Sequence, residues 1–120
     1  MLNLDTHIFI HALQGTLKPV ERRLLGQNPW SISVIVLWEL AKLTQLGRIS
    51  LDINSRDFAL ALSRIHVWPL SLKICQEVMQ LDFRSDPADE IIAGTSIVHK
   101  IPLLTRDKTI LKSTLVPFAK

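Results

Sequence analysis

The sequence predicts an α/β protein, a three-layer α/β/α arrangement around a central, mainly parallel sheet. Three observations carry this prediction. Short apolar runs alternate with stretches of helical periodicity, only a few residues separate one from the next, and the helical stretches stop at glycines or start at capping residues. Strands and helices alternating at such short spacing favour parallel pairing, with helices covering both faces of the sheet. Leu2 to Leu4 reads as a very short strand ending at Asp5, followed by a helix through Leu13 that stops at Gln14-Gly15. A short helix from Val20 to Leu25 ends at Gly26. Trp30 to Val34 is a β-branched strand running into a helix from about Ile35 to Leu46, closed by Gly47. Asn54 or Ser55 can cap a helix carrying Phe58, Ala59, Leu62 and Ile65. His66 to Leu70 is at most a short strand because of Pro69, and a helix from Ser71 places Ile74, Cys75, Val78 and Met79 at helical spacing. Asp86-Pro87 opens a helix that runs to about His99, with a cap candidate, proline at the first helical position and acids in the first turn. Leu103-Leu104 is a strand, and a short helix and a strand near Val116 finish the series.

Composition narrows the class. With 48% hydrophobic and 21% charged residues and a net charge of +3, the 120 residues can bury a core, which excludes a disordered tail. Residues 1 to 120 read as one unit, without repeats, low-complexity tracts or a Gly/Ser-rich linker. The single cysteine, Cys75, cannot form an internal disulfide and reads as a small buried thiol in a reducing compartment. Met1 to Leu13 is apolar, but Asp5 interrupts it and no basic run precedes it, so it does not read as a secretory signal. No apolar run is long enough to span a membrane. Fourteen Lys and Arg against eleven Asp and Glu, with a pI near 9.4, mildly favour a polyanionic partner.

Four of the eleven acids stand out by position. Asp5 and Asp107 each follow a strand, so parallel strands put both at the same edge of the sheet, where open α/β sheets bind ligands. Glu39 shares a helix face with Ile35, Val36, Leu43 and Leu46; a carboxylate in an apolar stripe calls for a cation, a metal or an opening to water. Asp89 lies in the first turn of its helix, where capping alone would explain it, and Asp86 is assigned mainly to the cap. Glu21, Asp52, Asp57, Glu77 and Glu90 are assigned to solvated faces or first-turn charge. Four carboxylates in one pocket raise one another's pKa unless a divalent hard cation offsets them. Such an ion, Mg²⁺ or Mn²⁺, can activate water against a phosphodiester, which suits both the acids and the net positive charge.

These residues resemble the PIN-domain nucleases, and among them the VapC-type toxins of toxin-antitoxin modules. The likeness spans nearly the whole chain. It is carried by Leu4-Asp5-Thr6-His7, by Ile32-Ser33 with Leu37-Trp38-Glu39-Leu40 and Leu46-Gly47-Arg48-Ile49, by Asp86-Pro87-Ala88-Asp89 with Ile91-Ile92-Ala93, and by Pro102-Leu103-Leu104-Thr105-Arg106-Asp107. The resemblance implies that Asp5, Glu39, Asp89 and Asp107 form an acidic metal-binding set, with Thr6 and Thr105 orienting waters or carboxylates. It further implies metal-dependent cleavage of RNA by a cytoplasmic homodimer restrained by an antitoxin protein. Glu90 stands where many relatives carry a basic residue, and Arg84 where a histidine is frequent; extra negative charge there would weaken phosphate approach or strengthen metal binding.

Other readings compete with this one. His7 and His11 are four apart on a helix, yet Ile8 stands where a zinc protease needs its glutamate, so one or both read as structural, in a position to hydrogen-bond to the site. A phosphoacceptor receiver-like domain has similar length and order but wants adjacent acids after the first strand, where Thr6 stands instead. A serine hydrolase would need a Gly-x-Ser-x-Gly elbow, which the chain lacks. A catalytically inactive module of the same fold would keep only a binding surface, for which Trp30, Trp38 and Trp68 are anchors if they are not core. Arg22, Arg23, Lys108 and Lys112 are candidates for steering RNA phosphate.

Overall fold

A computed structural model describes all 120 residues. The elements are β1 (Leu2–Leu4), α1 (Thr6–Gln14), α2 (Pro19–Gly26), β2 (Trp30–Ser33), α3 (Val34–Gln45), α4 (Arg56–Leu62), β3 (His66–Trp68), α5 (Leu72–Val78), α6 (Pro87–His99), β4 (Leu103–Leu104) and α7 (Lys108–Leu111). The four strands form one parallel sheet in the order β3-β2-β1-β4, flanked by the helices as three α/β/α layers. β1 is therefore interior and buried along its length, which is why it reads as an unbroken apolar run apart from Asn3. Asn3 is buried and turned to use: its Nδ2 donates to Ile92 O (3.3 Å) and Ser96 Oγ (2.9 Å), tying the central strand to α6.

Caps set most helix starts. Ser33 Oγ accepts from Ile35 N–H (3.2 Å), so α3 begins at Val34 and β2 stops one residue earlier than the periodicity predicted. Ser55, not Asn54, caps α4 by accepting from Phe58 N–H (3.1 Å), and Ser71 caps α5 through Ile74 N–H (3.2 Å). α1 ends at Gly15, whose φ of +72° is a left-handed conformation that a side chain would strain. The core draws on every layer: Ile8 and Phe9 of α1, Ile32 of β2, Val36 and Leu40 of α3, Ile92 and Ala93 of α6 and Ile110 of α7 are fully buried.

Two expectations about packing are corrected. Cys75 is exposed, because α5 turns only one face inward, with Ile74 buried and Val78 half-buried; Met79 is 77% exposed on the outside. The strand expected near Val116 is reduced to a single bridge between Leu103 and Phe118, held by Leu103 N–H to Pro117 O (2.8 Å) and Ala119 N–H to Leu103 O (3.0 Å). Of the three tryptophans, Trp30 is half-buried and donates Nε1–H to Leu25 O (2.8 Å), and Trp68 stacks on His99 with ring centroids 4.0 Å apart. Trp38 is 56% exposed. No helix is long and apolar enough to cross a membrane.

Helices α5 and α6 pack together at Gly94, where a Cβ would stand 3.3 Å from Val78 Cγ2 and 3.4 Å from Ile74 O. Gly94→Val should therefore destabilise the fold by about 2 kcal/mol through overpacking. Chemical denaturation of the variant checks this, and unchanged stability would mean that α5 is free to move outward.

Candidate active site

Parallel pairing of β1 with β4 puts Asn3 beside Leu103 and Leu4 beside Leu104, so the residues that follow, Asp5 and Thr105, leave the sheet together. Asp5 is buried and oriented on both oxygens. Its Oδ1 accepts from Ile8 N–H (3.0 Å), capping α1, and its Oδ2 accepts from the Thr105 hydroxyl. The same hydroxyl accepts from Asp107 N–H (3.0 Å), coupling the two strand ends through one oxygen. Asp107 in turn caps α7, with Oδ1 accepting from Thr109 N–H (2.9 Å) and Ile110 N–H (3.0 Å).

Glu39 projects from α3 between the buried Val36 and Leu40, itself half-buried, and its Oε1 accepts from the Thr6 hydroxyl. Burial pushes its pKa up, opposed by the Thr6 hydrogen bond and reinforced by the charges of Asp89 and Asp5. Asp89, in the first turn of α6, is likewise pushed up by burial, opposed by a hydrogen bond from Ser85 Oγ (2.8 Å) to its Oδ2 and reinforced by Asp107, Asp5 and Asp86. The four acids singled out in the sequence thus lie in one electrostatic neighbourhood. Each has a donor that orients it. Glu39, Asp89 and Asp107 also keep one oxygen without a protein donor, and Asp5 keeps spare lone pairs.

Other assignments change. Asp86 sits at the N-cap position of α6 without a side-chain cap bond, and Ser85 does the local work: its N–H donates to Glu90 Oε2 (3.1 Å) while its hydroxyl holds Asp89. Glu90 is thereby occupied in closing the loop onto the helix. Glu21 is the larger correction. Assigned to a solvated face, it is buried, accepting from Lys18 N–H (2.8 Å) and from both Nε (2.7 Å) and Nη2 (2.6 Å) of Arg106. Its partner lies 85 residues away, and only the Lys18-x-x-Glu21 spacing at the start of α2 hinted at a role beyond solvation. His11 is also in this network, its Nε2 3.1 Å from Arg106 Nη1 and its Nδ1 2.7 Å from Thr16 Oγ1.

Beside the acids lies a shallow cleft of about 270 Å³ lined by Asp5, His7, His11, Arg106 and Asp107. Arg22, Arg23, Lys108 and Lys112 are all exposed on α2, α7 and the residue after it, but none lines the cleft. No three His, Cys, Asp or Glu side chains converge into a ready-made metal cage. Magnesium does not require one, since it keeps several waters and takes one or two carboxylates. An all-oxygen donor set fits such an ion, as does the burial, reinforced by neighbouring negative charge, that raises Glu39 and Asp89. Glu39→Gln should leave the metal-free melting temperature unchanged or raised, because the mutual repulsion falls, and weaken Mn²⁺ binding in calorimetry about tenfold. A large loss of metal-free stability would make Glu39 a structural partner instead.

A parallel α/β/α sheet with oriented carboxylates at its C-terminal edge defines a class, and the comparisons give the family. Residues 3–114 match the PIN domain, and the chain belongs to that family. No curated protein sequence matches significantly. Among solved structures, the chain is similar to VapBC2 from Rickettsia felis bound to a promoter DNA fragment, at 20% identity and a TM-score of 0.76 over 99% of this chain and 98% of that one. It is also similar to a toxin-antitoxin complex from Klebsiella pneumoniae (20% identity, TM-score 0.70, 93% and 91% covered). A third likeness is to FitAcB from Neisseria gonorrhoeae (20% identity, TM-score 0.69, 99% and 97% covered). With the family shown, the receiver-like alternative gives way.

Proposed function

We propose that this protein is a cytoplasmic, divalent-metal-dependent endoribonuclease and the toxin of a toxin-antitoxin pair. The observation that supports this furthest is a cleft walled by Asp5 and Asp107, with Glu39 and Asp89 within electrostatic reach of them, while the one arginine in its wall is tied to Glu21. A bound Mg²⁺ or Mn²⁺ ion would supply an activated water and offset charge on the scissile phosphate. The protein's part is positioning. Thr105 and Ile8 N–H aim the Asp5 carboxylate, Thr6 aims Glu39, Ser85 aims Asp89 and the first turn of α7 aims Asp107, so the carboxylates that would hold the ion are oriented before it arrives. RNA as the substrate follows the family resemblance, and the solved toxin-antitoxin complexes support an antitoxin partner.

The test of the central reading is cleavage of a labelled single-stranded RNA by the purified protein. Cleavage should require Mg²⁺ or Mn²⁺, stop with chelator and return when metal is restored; equal cleavage in chelator would sink it. Light scattering at twice 13.6 kDa would support the homodimer.

A further inference from the structure

We propose that Arg106 forms a phosphate subsite at the rim of the acidic cleft, gripping a backbone phosphodiester of the RNA strand, with Glu21 and His11 as the positioning residues that aim it. This rests on the endoribonuclease reading and adds how a polyanion approaches a cleft walled by carboxylates. Of the fourteen Lys and Arg, Arg106 alone lines that cleft. Its environment is two-sided. The Glu21 carboxylate beneath it is only 6% exposed, whereas the Arg106 side chain is 30% exposed. The dry side holds the guanidinium and the wet side presents it.

Donor counting shows what is presented. A guanidinium has five N–H donors. Nε–H and one Nη2–H form the fork onto Glu21, and one Nη1–H points to His11 Nε2. One N–H on each terminal nitrogen is left over, and two N–H groups are what a phosphate needs for a paired contact. His11 is set for its part: with Nε2 accepting from Arg106, its Nδ1–H donates to Thr16 Oγ1, which fixes the ring. Glu21 also has a restraining effect. Asp5 lies within electrostatic reach of Arg106, and a guanidinium released from Glu21 would swing onto Asp5 and fill the cleft it now borders. Stability alone does not call for such a pair, because an apolar replacement of similar volume would serve a buried position as well.

The experiment compares the parent with the charge-balanced double variant Glu21→Gln/Arg106→Gln and with Arg106→Lys, each checked for folding by circular dichroism. Two readings are taken on a short single-stranded RNA. One is KM and kcat for cleavage in Mg²⁺, and the other is fluorescence-anisotropy binding over a KCl series with Ca²⁺ in place of Mg²⁺. The double variant, whose net charge is unchanged, should raise KM about tenfold and flatten the plot of log affinity against log salt by about 0.7. Arg106→Lys keeps the charge without the fork, so it should restore the slope and recover only part of the affinity. If Arg106 serves only as the counterion of Glu21, both folded variants will bind and cleave with the parent's KM and slope, and the subsite is overturned. Should the double variant fail to fold, an unchanged KM in Arg106→Lys overturns it equally. A parent without metal-dependent RNA cleavage removes the nuclease reading and the subsite together; a parent that cleaves while its variants keep KM and slope removes the subsite alone.

Discussion

Asp5→Asn is expected to lower metal-dependent RNA cleavage at least about a hundredfold while the protein stays folded. Both halves follow from the hydrogen bonds. Asparagine keeps an oxygen to accept from Ile8 N–H, so the cap on α1 survives, and its amide nitrogen can donate to the Thr105 oxygen in place of the bond that Asp5 receives. The structural cost should stay within about 1 kcal/mol, and relief of repulsion with Glu39 and Asp89 offsets part of it. What is lost is the charge at the centre of the four-acid set. Gel assays of cleavage beside thermal melting separate the two, and retained cleavage would point to another site or a contaminating nuclease.

Arg106→Ala is expected to have the largest effect on stability, about 3 kcal/mol, a large share of what a small domain has in reserve. Truncation leaves the Glu21 carboxylate buried with only Lys18 N–H as a donor. The pH dependence carries the signature. In the parent, hydrogen bonds from Arg106 hold Glu21 below the ordinary glutamate value despite the opposing effect of burial, with Lys18 N–H assisting. A depressed folded pKa means stabilisation that is fully present above the unfolded value, near 4.5, and lost as pH falls through the folded one. In the variant, burial acts on Glu21 without that fork, so the gap between the two proteins should widen from pH 4 to neutrality, roughly the span over which an unpaired glutamate would ionise. Melting curves across that range test it; a constant gap would assign the loss to packing of the arginine stem.

The parts of the site legible in the sequence were those whose signal is local. Asp5 and Asp107 each terminate an apolar run, so strand parallelism alone predicted that they would meet. Glu39 was visible because it breaks a helical stripe. Glu21 was not, since nothing within a turn of it explains its burial and its partner sits beyond seven intervening elements. The same reason hid Ser85, whose value depends on how the loop before α6 folds back onto Asp89. Fold class was readable for the reason that Asp5 was: short strands, short connections and alternating periodicity are all local. Cys75 misled because helical spacing identifies a face but does not say whether a second layer covers it.

Residue 5 and residue 105 share a hydrogen bond, and the strands that bring them together are the first and last members of the sheet to be synthesised. A ribosome making this chain therefore releases β1, α1, β2 and α3, which carry Asp5 and Glu39, long before Asp107 exists. Domains fold as units, and contacts between distant residues close late. The cleft is complete only after β4 and Asp107 have emerged, so a chain still short of them carries only part of the acidic set.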